Sequence, residues 1–285
     1  MEHILACLDG RAPSPALLDL AVWAARRLQA PLHLLHVLER TVLPRPSISD
    51  HGGALGLAPF DALRHELGEL DERRARLEEQ LAEQLLAAAQ AQVLAAGLAA
   101  CHSSLRQGEL AETLVQLQEH TQLVLMGEHF RAPGQRLHLD HRIERVLRQL
   151  ERPVLVLTAA PFVPPARVLL AFDGSVGARR SLQLAAASPL LQGLELELLW
   201  VGGDEASARA ALAEAQQTLQ AAGRMAAAQW LDGAPEAVLP ARLADEPDTL
   251  LLMGAHGHSR LRQLVLGSTT ASLLRSVAVP VLVSR

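Results

Sequence analysis

One segment near the carboxyl end of the chain combines glycines and hydroxyl side chains at a spacing suited to anion binding. LLLMGAHGHSRLRQLVLGSTTASLLRS at 250–276 opens as an apolar strand, continues as Gly254-x-x-Gly257, and reaches Gly267 after nine more residues. A helix is predicted to begin at Ser268, and its first residues carry the hydroxyl side chains of Ser268, Thr269 and Thr270. Glycine allows a positive φ and a close backbone approach, and the N–H groups of a helix start attract phosphate oxygens. The pattern therefore predicts a phosphate site.

Charged and imidazole side chains surround this pattern. His256, His258, Arg260 and Arg262 lie between the glycine elements, where they can face phosphate charge. Ligands of open parallel sheets bind at the carboxyl ends of strands. Asp173, which ends an earlier apolar strand, is therefore expected beside the loop, bonding a ribose hydroxyl or holding Mg²⁺ through water. A plainer interpretation treats the glycines as turn formers and Ser268 as a helix N-cap.

The elements that position these residues occur twice. Two pairs of segments match at an offset of 164, HILACLDG at 3–10 with RVLLAFDG at 167–174, and PLHLLHV at 31–37 with LELELLWV at 194–201. Two more match at an offset of 127, LVLMGEH at 123–129 with LLLMGAH at 250–256, and RPVLVLT at 152–158 with VPVLVSR at 279–285. The chain is therefore a duplication, and the difference of 37 residues indicates an insertion between Val37 and Leu123.

Each copy alternates short β-type runs with helical segments, which predicts an α/β fold with a parallel sheet and helices on both faces. The predicted strands are 3–8, 31–37, 99–106, 121–126 and 153–157, then 167–172, 194–201, 225–231, 249–253 and 279–284. The proline-containing stretch 159–166 cannot continue a helix or a central strand. We therefore expect a first domain at 1–158 and a second at 167–285, joined by that linker.

The insertion in the first copy is predicted as a loop at 40–59 followed by a lengthened helix from about 61 to 97. Its leucines recur at i+3 and i+4 and share one helix face: Leu63, Leu67, Leu70, Leu77, Leu81 and Leu85. The charge run at 71–80 forms the solvated side. The simpler interpretation is a structural helix, and the alternative is a lid or a partner surface.

Composition excludes several classes of function. All 26 basic residues are arginine, so no Walker A lysine and no Schiff-base lysine exists; the absence of Lys, Asn and Tyr indicates a GC-rich, bacterial genome. A net charge of −5 without a basic stripe argues against nucleic acid. Cys7 and Cys101 are the only cysteines, which argues against a disulfide framework. No apolar run approaches the roughly 20 residues of a membrane span and no signal peptide is evident, so we expect a cytoplasmic protein.

The spacing G-x2-G-x9-G-[ST] after the fourth strand, the Asp after the first and the closing V-P-V-L-V strand resemble the universal stress proteins, here as a tandem pair covering almost the whole chain. The resemblance implies an adenine-nucleotide α-hydrolase-like fold with five-stranded sheets of order 3-2-1-4-5. It also implies an intramolecular pseudo-dimer, in which 153–158 and 280–285 pair antiparallel. One branch of that family binds ATP. The contacts implied here are Asp173, Val201, Gly254, Ala255, His256, Gly257, His258, Ser259, Gly267, Ser268, Thr269 and Thr270.

The first copy departs from this pattern. Gly254 keeps an equivalent in Gly127 and Asp173 in Asp9, but Gly257, Gly267 and Ser268 correspond to Phe130, Asp140 and His141. Phenylalanine cannot replace a glycine needed for close approach, and Asp140 places negative charge where phosphate would lie. The first copy is therefore predicted not to bind ATP in this mode.

A zinc site is an alternative use of the same region of the first copy. His138 and His141, with Asp140 between them and His129 nearby, offer carboxylate and imidazole ligands. No cysteine accompanies them, and exposed histidines are common in such sequences.

These patterns favour an ATP-binding regulatory or stress-response module, with one nucleotide in the second copy and the first copy as its fixed partner. One alternative is a slow Mg²⁺-dependent ATPase or self-phosphorylating enzyme, whose turnover would rest on the metal, Arg260 and helix N–H groups. Another is an interaction scaffold without a ligand. The sequence leaves open whether ATP, ADP or AMP is preferred, whether two chains pair, and which protein is the partner.

Overall fold

The computed structural model describes residues 2–9, 14–39, 57–127, 139–255 and 266–285. Within these ranges, the first half contains β1 His3–Leu8, α1 Pro15–Leu28, β2 Leu32–Leu38, α2 Leu57–Ala95, β3 Cys101–Gln107, α3 Leu110–Leu117, β4 Thr121–Gly127, α4 His141–Gln149 and β5 Val154–Leu157. The second half contains β6 Arg167–Ala171, α5 Val176–Ala187, β7 Glu195–Val201, α6 Glu205–Ala221, β8 Ala227–Leu231, α7 Pro235–Leu243, β9 Thr249–Gly254, α8 Ser268–Ser276 and β10 Val281–Ser284. The predicted strand bounds agree within two residues.

The described strands form one sheet in the order β3-β2-β1-β4-β5-β10-β9-β6-β7-β8. Within each half the pairs are parallel and follow the expected order 3-2-1-4-5. The α/β class and the parallel arrangement are confirmed. Because neighbouring strands within a half run in the same direction, their carboxyl ends meet at one edge of that half-sheet.

Helices cover both faces of the sheet. Leu17, Leu86, Leu182 and Leu212 place α1, α2, α5 and α6 in the core of one face. Leu114, Ile143, Leu239 and Leu273 place α3, α4, α7 and α8 in the core of the other. The buried strand positions are largely Leu, Val and Ile, as expected of parallel strands buried on both faces.

The two halves meet where β5 and β10 pair antiparallel, with Leu155 opposite Leu282. The expected pairing of the last strands is therefore present within one chain. Thr158, which is fully buried, donates from its Oγ1 to the carbonyl of Val279 at 2.7 Å. In the segment between the halves, the ring of Phe162 packs edge-on against Trp23 of α1, with centroids 5.9 Å apart.

The clearest difference between the halves is the helix that joins the second and third strands. In the second half α6 has 17 residues, whereas α2 in the first half has 39. The predicted loop at 40–59 lies mostly outside the described residues. Leu85 is buried, but Leu63, Leu67, Leu70, Leu77 and Leu81 are 55% to 61% exposed. The predicted long helix is confirmed, but the described fold does not cover the leucine face in its amino-terminal half.

Candidate functional site

The candidate site lies at the carboxyl ends of β6 and β9, which are adjacent in the sheet. The helix after β6, α5, packs on one face, and the helix after β9, α8, packs on the other. The connections from neighbouring parallel strands therefore diverge, which opens a crevice at the point where ligands of this sheet type bind. Asp173, Gly254 and the start of α8 all lie at this crevice.

Asp173 organises the start of α5. Its Oδ1 accepts a hydrogen bond from the N–H of Ser175 at 2.9 Å. Ser175 in turn is the N-cap of the helix, and its Oγ accepts from the N–H of Ala178 at 3.2 Å. Gly174 between them adopts a φ of +74°, a conformation that L side chains rarely adopt. The Asp-Gly-Ser sequence thus turns the chain sharply and holds the Asp173 carboxylate at the strand end.

Gly254 makes a close contact within the fold. Its φ lies outside the left-handed region, so the predicted positive φ is wrong. A Cβ at this position would lie 2.7 Å from the carbonyl carbon of Gly177 and 2.9 Å from its Cα, in the first turn of α5. Two glycines 77 positions apart therefore allow the end of β9 and the start of α5 to pack closely against each other.

The start of α8 is attached to the end of β9. The N–H of Gly267 donates to the carbonyl of Ala255 at 3.1 Å. The hydroxyl of Thr270, a buried residue, donates to the carbonyl of Gly254 at 3.1 Å. Thr270 therefore contributes its hydroxyl to the fold, and only its N–H belongs to the helix start. Ser268 is exposed, and Thr269 donates its hydroxyl to Glu236 of α7.

Gly267 is the N-cap of α8, with φ −57° and ψ 139°. The plainer interpretation of Ser268 as the N-cap is therefore wrong by one position. A residue with these angles need not be glycine, because they lie in the extended region that most residues adopt. The first-turn N–H groups of Ser268, Thr269 and Thr270 have no carbonyl four residues earlier within the helix. The helix start consequently presents its donors without a cap from the Gly267 side chain.

Val201 ends β7 one strand farther along the sheet and is half-buried. Behind it, Gly202 and Gly203 take φ values of +77° and +69°. The indoles of Trp200 and Trp230 both donate to the carbonyl of Gly202, at 3.0 and 3.1 Å. This arrangement fixes the turn after β7 and places the Trp200 ring near the crevice, because a Cβ added at Gly174 would lie 3.4 Å from that ring.

Some of the implied contacts cannot be placed. His256, Gly257, His258 and Ser259 lie outside the described residues. Arg260 and Arg262 lie outside them as well. The described part of the site therefore consists of the strand ends at Asp173, Val201, Gly254 and Ala255, and of the start of α8 from Gly267 to Thr270.

The matching region of the first half contains charged side chains. Asp140 is the N-cap of α4, with φ −56° and ψ 123°, and its Oδ1 accepts from the N–H of Arg142 at 2.8 Å. Arg142 Nε also lies 3.2 Å from Glu39 Oε2. Glu39 and Arg142 correspond to Gly203 and Thr269 of the second half. An ion pair therefore crosses the first-half crevice, where the second half has a glycine and a threonine.

The cavity remaining in the first half is small. It measures about 20 Å³ and is lined by Asp9, Gly127 and Asp140 among others, which is room for about one water molecule. Cys7 also lines it, and burial raises the pKa of this thiol to about 12, so the thiol is protonated near neutral pH.

The zinc alternative finds no support among the residues that can be placed. His138 lies outside the described residues, and His141 is exposed at the start of α4 with Nδ1 3.8 Å from Asp140 Oδ1. In the described ranges, no group of three or more His, Cys, Asp or Glu side chains is arranged to hold a metal ion.

Three residues at the site escaped the sequence patterns. Gly177 was detectable only as a glycine in a predicted helix, which indicates a close packing contact. Trp200 lies next to Val201 but belongs to an apolar strand and so resembles a core residue. Glu236 lies 33 residues before Thr269, on a different helix, and no local pattern connects the two.

The comparisons with known proteins bear on this arrangement of two similar halves. The sequence matches the model of the universal stress protein family twice, over residues 1–158 and 165–285. The chain belongs to the universal stress protein family. Among its relatives, Universal stress protein Slr1230 of Synechocystis sp. is 33% identical over 288 residues, covering 100% of both chains.

Solved structures agree with this family fold. A universal stress protein from Archaeoglobus fulgidus aligns with a TM-score of 0.71 at 21% identity, covering 99% of this chain and 98% of that one. A protein from Pseudomonas aeruginosa UCBPP-PA14 aligns with a TM-score of 0.62 at 19% identity, covering 100% and 93%. In the part of the chain that can be described, no helix is both long and apolar enough to cross a membrane.

Proposed function

We propose that the second half binds one adenine nucleotide, ATP in the first instance, and that the protein acts as a regulatory module of the stress response. The first half serves as a fixed structural partner and does not bind ATP in this mode. The proposal rests on the crevice between β6 and β9 and on the family to which the chain belongs.

The observation that carries this proposal is the pair of helix starts. Asp140 and Gly267 have nearly the same backbone angles, yet the first caps its helix with a carboxylate and the second has no side chain. Asp is among the best N-caps and would suit the backbone of α8. Its absence there leaves helix donors and the positive end of the helix dipole for an external anion.

The residues around this start fit the remainder of a nucleotide. The phosphates would be held by the N–H groups of Ser268 to Thr270, by the Ser268 hydroxyl and by the loop from Gly254 to Ser259. Asp173 would bind the ribose or a water shell of Mg²⁺, and Val201 would contact the adenine. Gly203, in place of Glu39, leaves this side of the crevice without the negative charge that closes the first half.

Calorimetric titration of the full chain with ATP, ADP and AMP, with and without Mg²⁺, tests the proposal. We expect one equivalent per chain. Gly267→Asp, which copies the first half, should weaken ATP binding at least a hundredfold, because the new carboxylate both caps the helix and repels phosphate. Fluorescence of Trp200 and Trp230 offers a second readout of binding near the crevice.

Asp173→Asn and Asp9→Asn form a matched pair for this titration. The change in the second half should weaken ATP binding about tenfold, which corresponds to about 1.4 kcal/mol. The same change in the first half should leave the affinity unaltered. An unaltered affinity in both Gly267→Asp and Asp173→Asn would refute the site, and no binding by the unmodified chain would favour a scaffold without a ligand.

Slow hydrolysis is a second candidate because a carboxylate lies at the helix start. Glu236 accepts the hydrogen bond of the Thr269 hydroxyl. In this alternative Glu236 accepts a proton from an attacking water, and the γ-phosphoryl group of ATP is transferred to that water as its bond to ADP breaks and ADP leaves. Phosphate release with Mg²⁺-ATP, measured beside Glu236→Gln, separates the two functions. Release that depends on Glu236 would rank hydrolysis above binding alone.

We further propose a cytoplasmic location and a protein partner for the nucleotide-bound form. Cys7 and Cys101 are free and buried, which suits a reducing compartment. Capture experiments with and without ATP would identify that partner.

A further inference from the structure

The amino-terminal half of α2 projects from the fold with an apolar stripe on its surface. The described side chains from Leu63 to Leu81 are exposed except for the half-buried Gly68 and Ala75, and the helix enters the core only from Ala82 onward. Yet the leucines in this projecting part recur with the spacing of a coiled-coil seam. The stripe consists of Leu63, Leu67, Leu70, Leu77 and Leu81.

The spacing is symmetric about position 72. From Leu63 to Leu81 the seam positions follow intervals of four, three, four, three and four residues, with Arg74 at the one seam position that is not leucine. At 1.5 Å per residue the stripe is about 27 Å long. A helix exposed on all sides, with leucines on one of them, is marginal by itself, because its apolar face gains stability only by packing.

We propose that the leucine stripe of α2 pairs antiparallel with the same stripe of a second copy of this chain. With the two-fold axis at position 72, Leu63 faces Leu81 and Leu67 faces Leu77 of the second copy. The same leucines thus form both sides of the interface, as two-fold symmetry requires.

Charge favours the antiparallel over the parallel arrangement. In a parallel pair the two Arg74 side chains would face each other in the seam. In the antiparallel pair Arg74 faces Leu70 of the second copy and lies beside its Asp71, so two carboxylates and two guanidinium groups alternate around the axis. Arg74 Nε already donates to Glu78 Oε1 at 2.7 Å within its own helix, so its side chain stays along the edge of the seam. On the other edge, Glu69 precedes Arg73 by four residues on the same helix, a spacing that favours an ion pair within that helix.

The packing of the rest of the fold, here called the body, on α2 favours the same orientation. Each body packs on its helix from Ala82 onward, at the carboxyl-terminal side of the stripe. Antiparallel pairing places the two bodies at opposite ends of the paired segment. Parallel pairing would bring both bodies to the same end, where they would compete for space.

Sedimentation equilibrium of the full chain tests the pairing. We expect twice the 30.6 kDa chain mass for the unmodified protein at micromolar concentration. Leu67→Glu/Leu77→Glu should give a monomer, because four carboxylates would enter the seam of a dimer. The fold of the body is checked in each variant by urea unfolding followed through tryptophan fluorescence.

The matched control is Gly68→Glu/Ala75→Glu, which adds the same charge on the outward side of the helix. A Cβ at Gly68 meets no atom within 4 Å, so this change is accommodated. The control should remain a dimer. A monomeric unmodified chain, a dimeric Leu67→Glu/Leu77→Glu variant, or a monomeric control would each overturn the proposal.

Disulfide formation between two single variants tests the orientation. When an L63C chain and an L81C chain are mixed and oxidised, the antiparallel pair predicts a crosslink between the two different variants. Crosslinking of L63C chains predominantly to one another would overturn the antiparallel arrangement. The native Cys7 and Cys101 are buried and should not interfere.

Discussion

The helices α4 and α8 begin with the same backbone geometry but with different residues at the cap. In α4 the Asp140 carboxylate accepts the Arg142 N–H, so the chain satisfies its own helix start. In α8 the cap is Gly267, which has no side chain to accept a hydrogen bond from a helix N–H. Under the proposed function, the first half closes its site by supplying, from its own chain, the negative charge that a phosphate would bring to the second half.

The two halves also differ at the amino ends of their strands, opposite the crevice. At the amino ends of the first-half strands, the rings of His3 and His33 lie 5.2 Å apart, and His102 is paired with His33 across β2 and β3. At the matching place in the second half, Arg167 lies 3.5 Å from Asp248, and Arg242 lies 3.1 Å from Glu197. The two halves should therefore respond to acid at different pH values.

The largest effect on stability is expected at the close contact between β9 and α5. Gly254→Ala would place a Cβ 2.7 Å from the backbone of Gly177, which must then shift; we expect a loss of about 3 kcal/mol in the free energy of unfolding. Urea unfolding followed by the fluorescence of Trp200 and Trp230 measures it.

The matched change in the first half is Gly127→Ala. There the new Cβ would meet only Leu17 Cδ2 at 3.7 Å, an ordinary contact, so the free energy of unfolding should stay within about 1 kcal/mol. Equal losses in the two variants would show that a close approach between this strand end and the neighbouring helix is not particular to the second half.

A smaller loss is expected when the cap of α4 is removed. Asp140→Ala deletes the acceptor of the Arg142 N–H and should lower the free energy of unfolding by about 1 kcal/mol. Thermal unfolding checks the value. ATP titration of the same variant should still give one equivalent per chain, because the ion pair of Glu39 and Arg142 continues to cross the first-half crevice.

The reciprocal change should stabilise the protein while it removes the proposed function. Gly267→Asp adds to α8 the cap that α4 has, so the free energy of unfolding without nucleotide should rise by about 0.5 kcal/mol. The measurement is urea unfolding without ATP. A destabilised variant would mean that the Gly267 position cannot accept a side chain, and the loss of binding would then have a structural cause.

The smallest effect concerns pH. Burial and the neighbouring imidazoles lower the pKa values of His3 and His33 below the ordinary 6.5, with His120, His102 and Arg106 contributing positive charge. The folded state therefore favours neutral rings, and the unfolded state binds more protons between the folded and ordinary pKa values. The contribution of these histidines to the free energy of unfolding is fully present above pH 6.5 and is lost as the pH falls below that value.

The second half should respond only at lower pH. The hydrogen bond from Arg242 lowers the pKa of Glu246 below 4.5, so this contribution is present above that value and is lost as the carboxylate is protonated. When the pH is lowered from 7.5 to 5.5, the protection factors from hydrogen exchange should thus fall more in β1 to β3 than in β6 to β8. His33→Gln should reduce the difference; an equal fall in both halves would contradict the comparison.

Much of the fold could be predicted because it depends on local patterns. The strands of a parallel sheet are continuous apolar runs, and the helices between them have a different period, so the alternation was readable from Ile4 to Leu282. The similarity of HILACLDG and RVLLAFDG revealed the duplication, whereas the order of the strands in each half was implied by the resemblance to the universal stress proteins.

The site was only partly predictable, since its contacts join distant positions. The helix start near Gly267 followed from a local glycine and hydroxyl pattern. The predicted start of the helix at Ser268 is confirmed, and only the plainer interpretation placed the cap one residue late, since the carbonyl of Gly267 accepts the N–H of Ala271. The positive φ expected of Gly254 is absent, and its close contact with Gly177 left no local pattern because the two glycines are remote in the chain.

By itself, the sequence determined the periodicities, the duplication, the loss of glycine at Asp140 and the absence of lysine, all of which are properties of residue types and their spacing. The tertiary structure decided which residues meet: Gly254 with Gly177, Glu39 with Arg142, and Thr269 with Glu236. It also decided that the leucine stripe of α2 lies on the surface, because the described side chains of that helix are buried in the fold only from Ala82 onward. A helical period specifies that a face is apolar, but only packing determines whether anything covers it.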